Sequence, residues 1–372
     1  MAKREFVLLA HTFDETKDSF DKIRGWMLSQ KMDGLRVFWD GGISRGESVR
    51  SIPFANWERD DRFVNRDYEA TGLWTRNGKV IRAPVWFLDM LPNIPLDGEL
   101  WSGYQKFEQT NSITKKIVPD EAAWKAVQFH IFDCPPLDTI FAPGILGNAG
   151  DIYSKEFTKA TLDWAMSRAM ETGTIPEPKY REMEFVYGWM KARGFENDHI
   201  KILEQTRLPM TNTDGAIETI INREMEKVLA ANGEGLMVRK DQSCWTPERS
   251  HNLLKIKKWY DAEATVIGYV WGRKTDKGSK LLGKMGVLVC DWDGRKIEVG
   301  GFNWEERDMF IISSGMPAVR LGQMLSGLPA DTTQVTNPKF PLGSKITFRY
   351  RDVTAKGEPR MAQYYRKPTI LG

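Results

Sequence analysis

Lys31-Met32-Asp33-Gly34 is the segment of this chain best suited to covalent chemistry. A lysine amine becomes a nucleophile only when it sheds its proton. Burial or neighbouring cations lower its pKa enough for that. Gly34 permits a sharp turn at no steric cost, so the turn can project Lys31 from a strand edge into a cleft. Three fixed residues are a weak signal alone, and a plain surface turn explains them equally well. The order of the segments beyond it changes that. Arg36 comes next, then Thr75-Arg76-Asn77-Gly78-Lys79, Leu96-Asp97-Gly98-Glu99-Leu100, Phe132-Asp133, Glu234-Gly235-Leu236-Met237-Val238-Arg239 and Leu254-Lys255-Ile256-Lys257.

The elements around these segments must place them. Residues 25–40 predict strand, turn, strand around Asp33-Gly34. Residues 75–80 carry an Asn-Gly hairpin signal, and 96–101 read as a strand edge with a turn at Asp97-Gly98. Residues 123–134 end as a buried strand before Pro135-Pro136. Helical spacing runs through 155–206 and again through 216–233, which closes on Asn-Gly. GLMVRK and NLLKIKKW read as strands. From residue 264 onward, short strands with Gly and Asp turns predict a small β-barrel. The expected class is α+β.

Composition bounds the possibilities. The 372 residues are 41% hydrophobic and 28% charged, which predicts a folded chain with a core and excludes disordered and fibrous classes. The length suits two domains of roughly 100–200 residues. No apolar run approaches the ~20 residues that span a bilayer, and no signal peptide is expected at the N-terminus. Cys134, Cys244 and Cys290 are odd in number and far apart, so a reducing compartment fits and disulfides do not. His11, His130, His199 and His251 show no ligand spacing, so no zinc site is expected. Net charge is +3, but residues 253–372 carry +8 and residues 1–252 carry −5. That split suggests a polyanion gripped mainly by the C-terminal part, with a solvated lysine-rich surface as the bland alternative.

Taken in order, these segments resemble the ATP-dependent DNA ligases of the covalent nucleotidyltransferase superfamily. KMDGLR is similar to the nucleotidyl-lysine motif and TRNGK to the motif that holds the nick phosphate. PLDGELW, FHIFDC, GEGLMVR and LLKIKKWYDAEATV match the later motifs in order, with insertions near 41–73 and 137–200. The resemblance implies a nucleotidyltransferase (adenylation) domain of antiparallel sheets with helices over 1–258. A C-terminal OB-fold barrel over 262–372 completes the chain.

It also implies sealing of nicked double-stranded DNA with ATP and Mg²⁺ (or Mn²⁺). Lys31 would be the nucleophile, oriented by Asp33, with Lys255 and Lys257 gripping the α-phosphate from one face of a strand. Gln30, Arg36, Glu99, Phe132 and Glu234 would complete the nucleotide pocket. Glu99 and Glu234 would serve as metal ligands and the Phe132 ring as an adenine platform. Arg36 and Arg76 would chelate phosphate. Arg273, Lys274, Lys277 and Lys280, in a glycine-rich basic loop, would track the DNA backbone. Arg360, Arg366 and Lys367 stand where the last motif matches only loosely. A monomer in the cytoplasm of a bacterial or phage-infected cell, serving replication, repair or recombination, is the setting this implies.

Each residue has a plainer reading. Phe132 before a Pro pair would be core. Asp97-Gly98 would be a turn, Glu234 a helix-exit residue, His130 a satisfied strand histidine and Cys134 a buried filler. Ser44-Arg45-Gly46 competes with TRNGK for the phosphate, but Lys79-Val80-Ile81 and a Pro come after Arg76 as in the family. A capping-type guanylyltransferase, an RNA ligase and a non-catalytic nucleic-acid-binding protein are the competing functions. The capping motif usually has Trp between its lysines, where this chain has Ile256. An RNA ligase normally lacks the barrel. An NAD-dependent ligase is disfavoured because only 30 residues precede Lys31 and the four zinc cysteines of that class are absent.

Overall fold

The computed structural model describes residues 6–14, 18–56, 67–141, 155–174, 183–243, 245–272, 281, 284–308, 311–312, 335–354 and 357–365. The chain divides into two compact units, Met1–Ile256 and Lys257–Gly372.

The first unit holds ten strands: β1 (Leu9–Thr12), β2 (Met27–Lys31), β3 (Leu35–Asp40), β4 (Leu73–Thr75), β5 (Pro95–Trp101), β6 (Gln128–Asp133), β7 (Ile200–Ile202), β8 (Thr206–Arg207), β9 (Gly235–Arg239) and β10 (Arg249–Ile256). They form two sheets, ordered β1-β10-β9-β2-β8 and β4-β3-β5-β6-β7. Pairing is antiparallel except for β1 with β10 and β6 with β7. The turn at Asp33-Gly34 leads from β2 in one sheet to β3 in the other.

Strand alternation sorts core from site. On β9 and β10, Leu236, Val238, Leu254 and Ile256 pack with Ile217, Ile221 and Met225 of the helix Ala216–Ala230. That helix closes one face of the first sheet. Met237, Arg239, Leu253 and Lys255 take the alternate positions and line a cavity. On the second sheet, Val37, Trp39, Leu96, Leu100, Phe129 and Ile131 share one core cluster. Arg36, Asp97, Glu99 and Phe132 face the cavity instead. Asp97 sits inside a continuous strand, so the turn expected at Asp97-Gly98 is a correction. Gly98 is there because a Cβ would lie 2.3 Å from the His130 carbonyl oxygen.

The helical reading of 155–206 holds for Lys155–Thr172 and Met183–Ala192, but β7 and β8 come next as strands. Among the described residues no helix is long and apolar enough to cross a membrane. Cys134 and Cys290 are buried and take part in no disulfide among the described residues, while Cys244 lies outside them.

Among its described residues the second unit holds a five-stranded antiparallel sheet. Its order is Arg295–Val299, Met285–Trp292, Tyr260–Trp271, Lys345–Tyr350, Gln363–Tyr364. Gly300 at one edge pairs with Gln363 at the other. Gly300 N–H donates to Ala362 O at 3.0 Å, and Tyr364 N–H to Gly300 O at 2.7 Å. The two edges therefore meet and the sheet curls into a barrel around Val266, Leu288, Cys290, Ile297, Val299 and Phe348. This is the expected α+β architecture with an OB-like barrel. The basic loop residues Arg273, Lys274, Lys277 and Lys280 lie outside the described residues, as do Arg366 and Lys367. Arg360 is exposed on the short strand Pro359–Arg360.

Candidate active site

A cavity of about 560 Å³ opens in the first unit, a size that suits a nucleotide. Lys31 enters it from the last position of β2, with its Nζ on the Glu234 carboxylate and 3.3 Å from Met32 O. Both side chains keep 22% of their surface exposed, so the pair is accessible rather than sealed. Glu234 directly precedes β9, where Gly235 pairs with Lys31. Its carboxylate holds the Lys31 amine, so it is more than a helix exit.

Glu99 enters from β5 and accepts the Gly34 N–H at 2.7 Å, which ties the lysine turn to the second sheet. Burial raises its carboxyl to about 6. Lys31, Arg36 and the Gly34 amide oppose that rise, and Glu234 adds to it. Lys255 lines the same cavity from β10, and Gln30 lines it beside Lys31, its Oε1 taking the Tyr104 hydroxyl at 3.1 Å.

Thr75, Arg76, Asn77 and Lys79 also line the cavity. Their turn is held by Gly78 N–H to Thr75 O at 2.9 Å and Thr75 N–H to Lys79 O at 2.8 Å, with Gly78 at φ +75°. The competing Arg45 points elsewhere, its Nη2 2.6 Å from Asp89. Ser44 is buried against Asp40. Arg76 lines the cavity and Arg45 does not.

Three expectations change. Arg36 does not offer a free fork. Its Nε and Nη2 already grip Asp97 at 2.7 and 2.8 Å, and its guanidinium lies 4.7 Å from the Phe132 ring centroid. Lys257 does not share a strand face with Lys255, because β10 ends at Ile256 and Lys257 opens the second unit. Asp33 sits in the turn after β2, outside the cavity lining.

Phe132 is half-buried and lines the cavity rather than the core. It gets there through a β-bulge: Asp97 pairs with Asp133 and Gly98 with Ile131, leaving Phe132 as the extra residue. His130 is the satisfied strand histidine expected. It bonds Gln128 at 3.1 Å, and burial, with Lys201, lowers its pKa to about 4.

Sequence reasoning passed over Asp97, Asp133, Arg239 and Trp245. Asp97 and Asp133 are each 1% exposed and face arginines. The Trp245 indole N–H donates to Asp97 at 2.8 Å. Charged residues inside apolar strand runs were the available signal, since buried charges demand partners.

Two sheets flanking a lysine-bearing cavity, joined in sequence to an OB-like barrel, form an architecture shared with solved DNA ligases. Residues 278–367 match the DNA ligase OB-like domain family. The chain is 24% identical to a DNA ligase of Haemophilus influenzae (strain ATCC 51907 / DSM 11121 / KW20 / Rd) over 364 residues, covering 97% of this chain and 91% of that protein. Among solved structures, a Lig E DNA ligase studied for DNA binding with a minimal scaffold superposes with a TM-score of 0.56. It is 23% identical, and 97% of this chain and 98% of that one are covered. The protein Pmar-Lig_PreS3 also reaches 0.56 at 16% identity, covering 98% of this chain and 68% of its own. The resemblance read from the motifs is thus borne out: nearly the whole chain is similar to DNA ligases, and its C-terminal part to their OB-like domain.

Proposed function

We propose that this enzyme seals nicks in duplex DNA, as a monomer, through a covalent AMP adduct on Lys31. The carrying observation is that Lys31, with Glu234 on its amine, shares one cavity with Glu99, Lys255, Arg76 and Lys79. A lysine nucleophile and a separate cationic anion site then lie along one groove.

Lys31 Nζ attacks the α-phosphorus of ATP and pyrophosphate leaves. The AMP then moves to the 5′-phosphate of the nick, and the Lys31 bond breaks. The 3′-hydroxyl attacks that phosphorus, AMP leaves and the phosphodiester forms. Each is an in-line displacement, where positioning and charge neutralisation supply the rate.

Lys255 grips the α-phosphate. Glu234 holds the amine and is the base within its reach. The exposed face of Phe132 carries the adenine, with Arg36 beside the ring, and Arg76 with Lys79 receives the 5′-phosphate. Lys257, from the start of the second unit, is proposed to join the phosphate grip. The barrel and its basic loop (Arg273, Lys274, Lys277, Lys280) grip DNA phosphates, which suits an enzyme that must act at any sequence.

The donor set fits Mg²⁺. Glu99 and Glu234 offer hard oxygens, while no cluster of three or more His, Cys, Asp or Glu forms a full cage among the described residues. Such an ion usually takes one or two carboxylates and completes its shell with phosphate oxygens and water. When bound, it neutralises phosphate charge. Incubation with labelled ATP and Mg²⁺ tests the function. A label on Lys31 that survives denaturation supports it, and no protein-bound label under any condition rejects it.

A further inference from the structure

We propose that Arg239 is a positioning residue for Phe132, acting through Asp133. The proposal rests on the reading of Phe132 as the base-stacking ring.

A bulge interrupts the β5–β6 ladder, so pairing alone does not hold the extra residue in place. Phe132 is that residue, and something else must fix where its ring points. Arg239 lies on β9, between Met27 of β2 and Leu253 of β10. From there its Nη1 reaches the other sheet and meets Asp133 Oδ2 at 2.6 Å. The other Asp133 oxygen takes the Cys134 N–H at 2.7 Å. Asp133 is therefore clamped on both oxygens, one residue past the ring. On the near side, Gln205 Nε2 donates to Phe132 O at 3.1 Å.

Arg239 is 7% exposed, yet its Nε and Nη2 have no hydrogen-bond partner among the described residues. Leaving two donors of a buried cation unsatisfied is costly, which makes this side chain a poor choice for stability alone. Its one strong contact is the one that pins the bulge. Loosening it would free the ring without touching Lys31, Glu99 or Lys255.

The test is a coupling measurement in proteins carrying Lys31→Ala, so that no adduct forms and ATP binding is read directly. ATP is titrated into three further variants of this protein: Phe132→Ala, Arg239→Lys and both together. If Arg239 acts through the ring, Arg239→Lys weakens ATP binding about tenfold with Phe132 present and less than about twofold with it removed. Equal losses in the two backgrounds, or no loss in either, overturn the proposal. A purely structural role would lower the melting temperature without this coupling.

Should Arg239→Lys fail to fold, Arg239→Gln with Asp133→Asn keeps a neutral hydrogen bond and takes its place. Labelled ATP on the protein with Lys31 intact separates the two claims. No adduct removes the ligase reading and leaves the titration interpretable. An adduct together with equal losses removes only the positioning role.

Discussion

Arg36 and Asp97 are neighbours on a diagonal of the second sheet, not directly opposed. Arg36 pairs in register with Glu99, and Asp97 with Phe38. The guanidinium reaches across the diagonal to bind both Asp97 oxygens, at 2.7 and 2.8 Å. Burial opposes the Arg36 charge, yet Asp97, Glu99 and Asp133 outweigh it and raise the pKa.

Removing one partner of such a pair should expose its worth. Asp97→Ala leaves Arg36 uncompensated and is expected to cost about 3–5 kcal/mol. Asp97→Asn, which keeps an acceptor for Arg36, should cost less. Chemical denaturation reads both midpoints. An unchanged midpoint in Asp97→Ala would mean that Arg36 finds solvent instead.

Lys31→Ala should abolish the covalent AMP adduct and nick sealing while the protein stays folded. Lys31→Arg should fail as well, because a guanidinium does not lose its proton near neutrality. Mass spectrometry of the adenylated peptide locates the bond, and AMP on another lysine would refute the assignment.

Arg76→Ala should leave adenylation of Lys31 close to normal and slow sealing roughly 100-fold, the scale of losing one charge-stabilising donor. Single-turnover assays with ATP alone and with nicked duplex separate the steps. A matching drop in adenylation would place Arg76 at the nucleotide instead.

Glu99 sets a pH dependence with opposite signs for activity and stability. Its folded pKa of about 6 lies above the ordinary 4.5 because of burial. The native state therefore holds the extra proton between those values, and stability declines as pH rises through them. Activity needs the carboxylate and should rise over the same window. Asp40 titrates there too, lifted to about 6 by burial despite bonds from Ser44, Trp74 and Gly42. Glu99→Gln should change both profiles, and Asp40→Asn only the stability profile. Thermal melts and adenylation rates from pH 4 to 7, set against the ordinary Glu value of 4.5, decide this.

The strands flanking Asp33-Gly34, the helix Ala216–Ala230 and the β9–β10 pair were legible because their apolar residues alternate or recur at helical spacing. Motif order singled out Glu99, Glu234 and Lys255, and the structure brings Glu99 and Lys255 to the cavity and Glu234 against Lys31. Arg36 misled because a sequence shows its donors but not Asp97, sixty-one residues away, which occupies them. Asp-Gly is a turn signal, yet the flanking Leu96 and Leu100 side chains pull Asp97 into a strand. The bulge at Phe132 is a property of pairing between two strands, so alternation within one strand could not reveal it. Lys257 misled because alternation was extended past Ile256, where the strand stops.

Leu254 and Lys255 stand one residue apart, yet one is buried under a helix and the other lines the cavity. A single inserted or deleted residue within β9 or β10 would exchange the two sets, sending the lysine into the oil and the leucine into the groove. Change in length is thereby barred from these strands. The stretches between β3 and β4 and between β6 and β7 carry no such parity. A change of length there would not by itself exchange the core and cavity faces of β9 and β10.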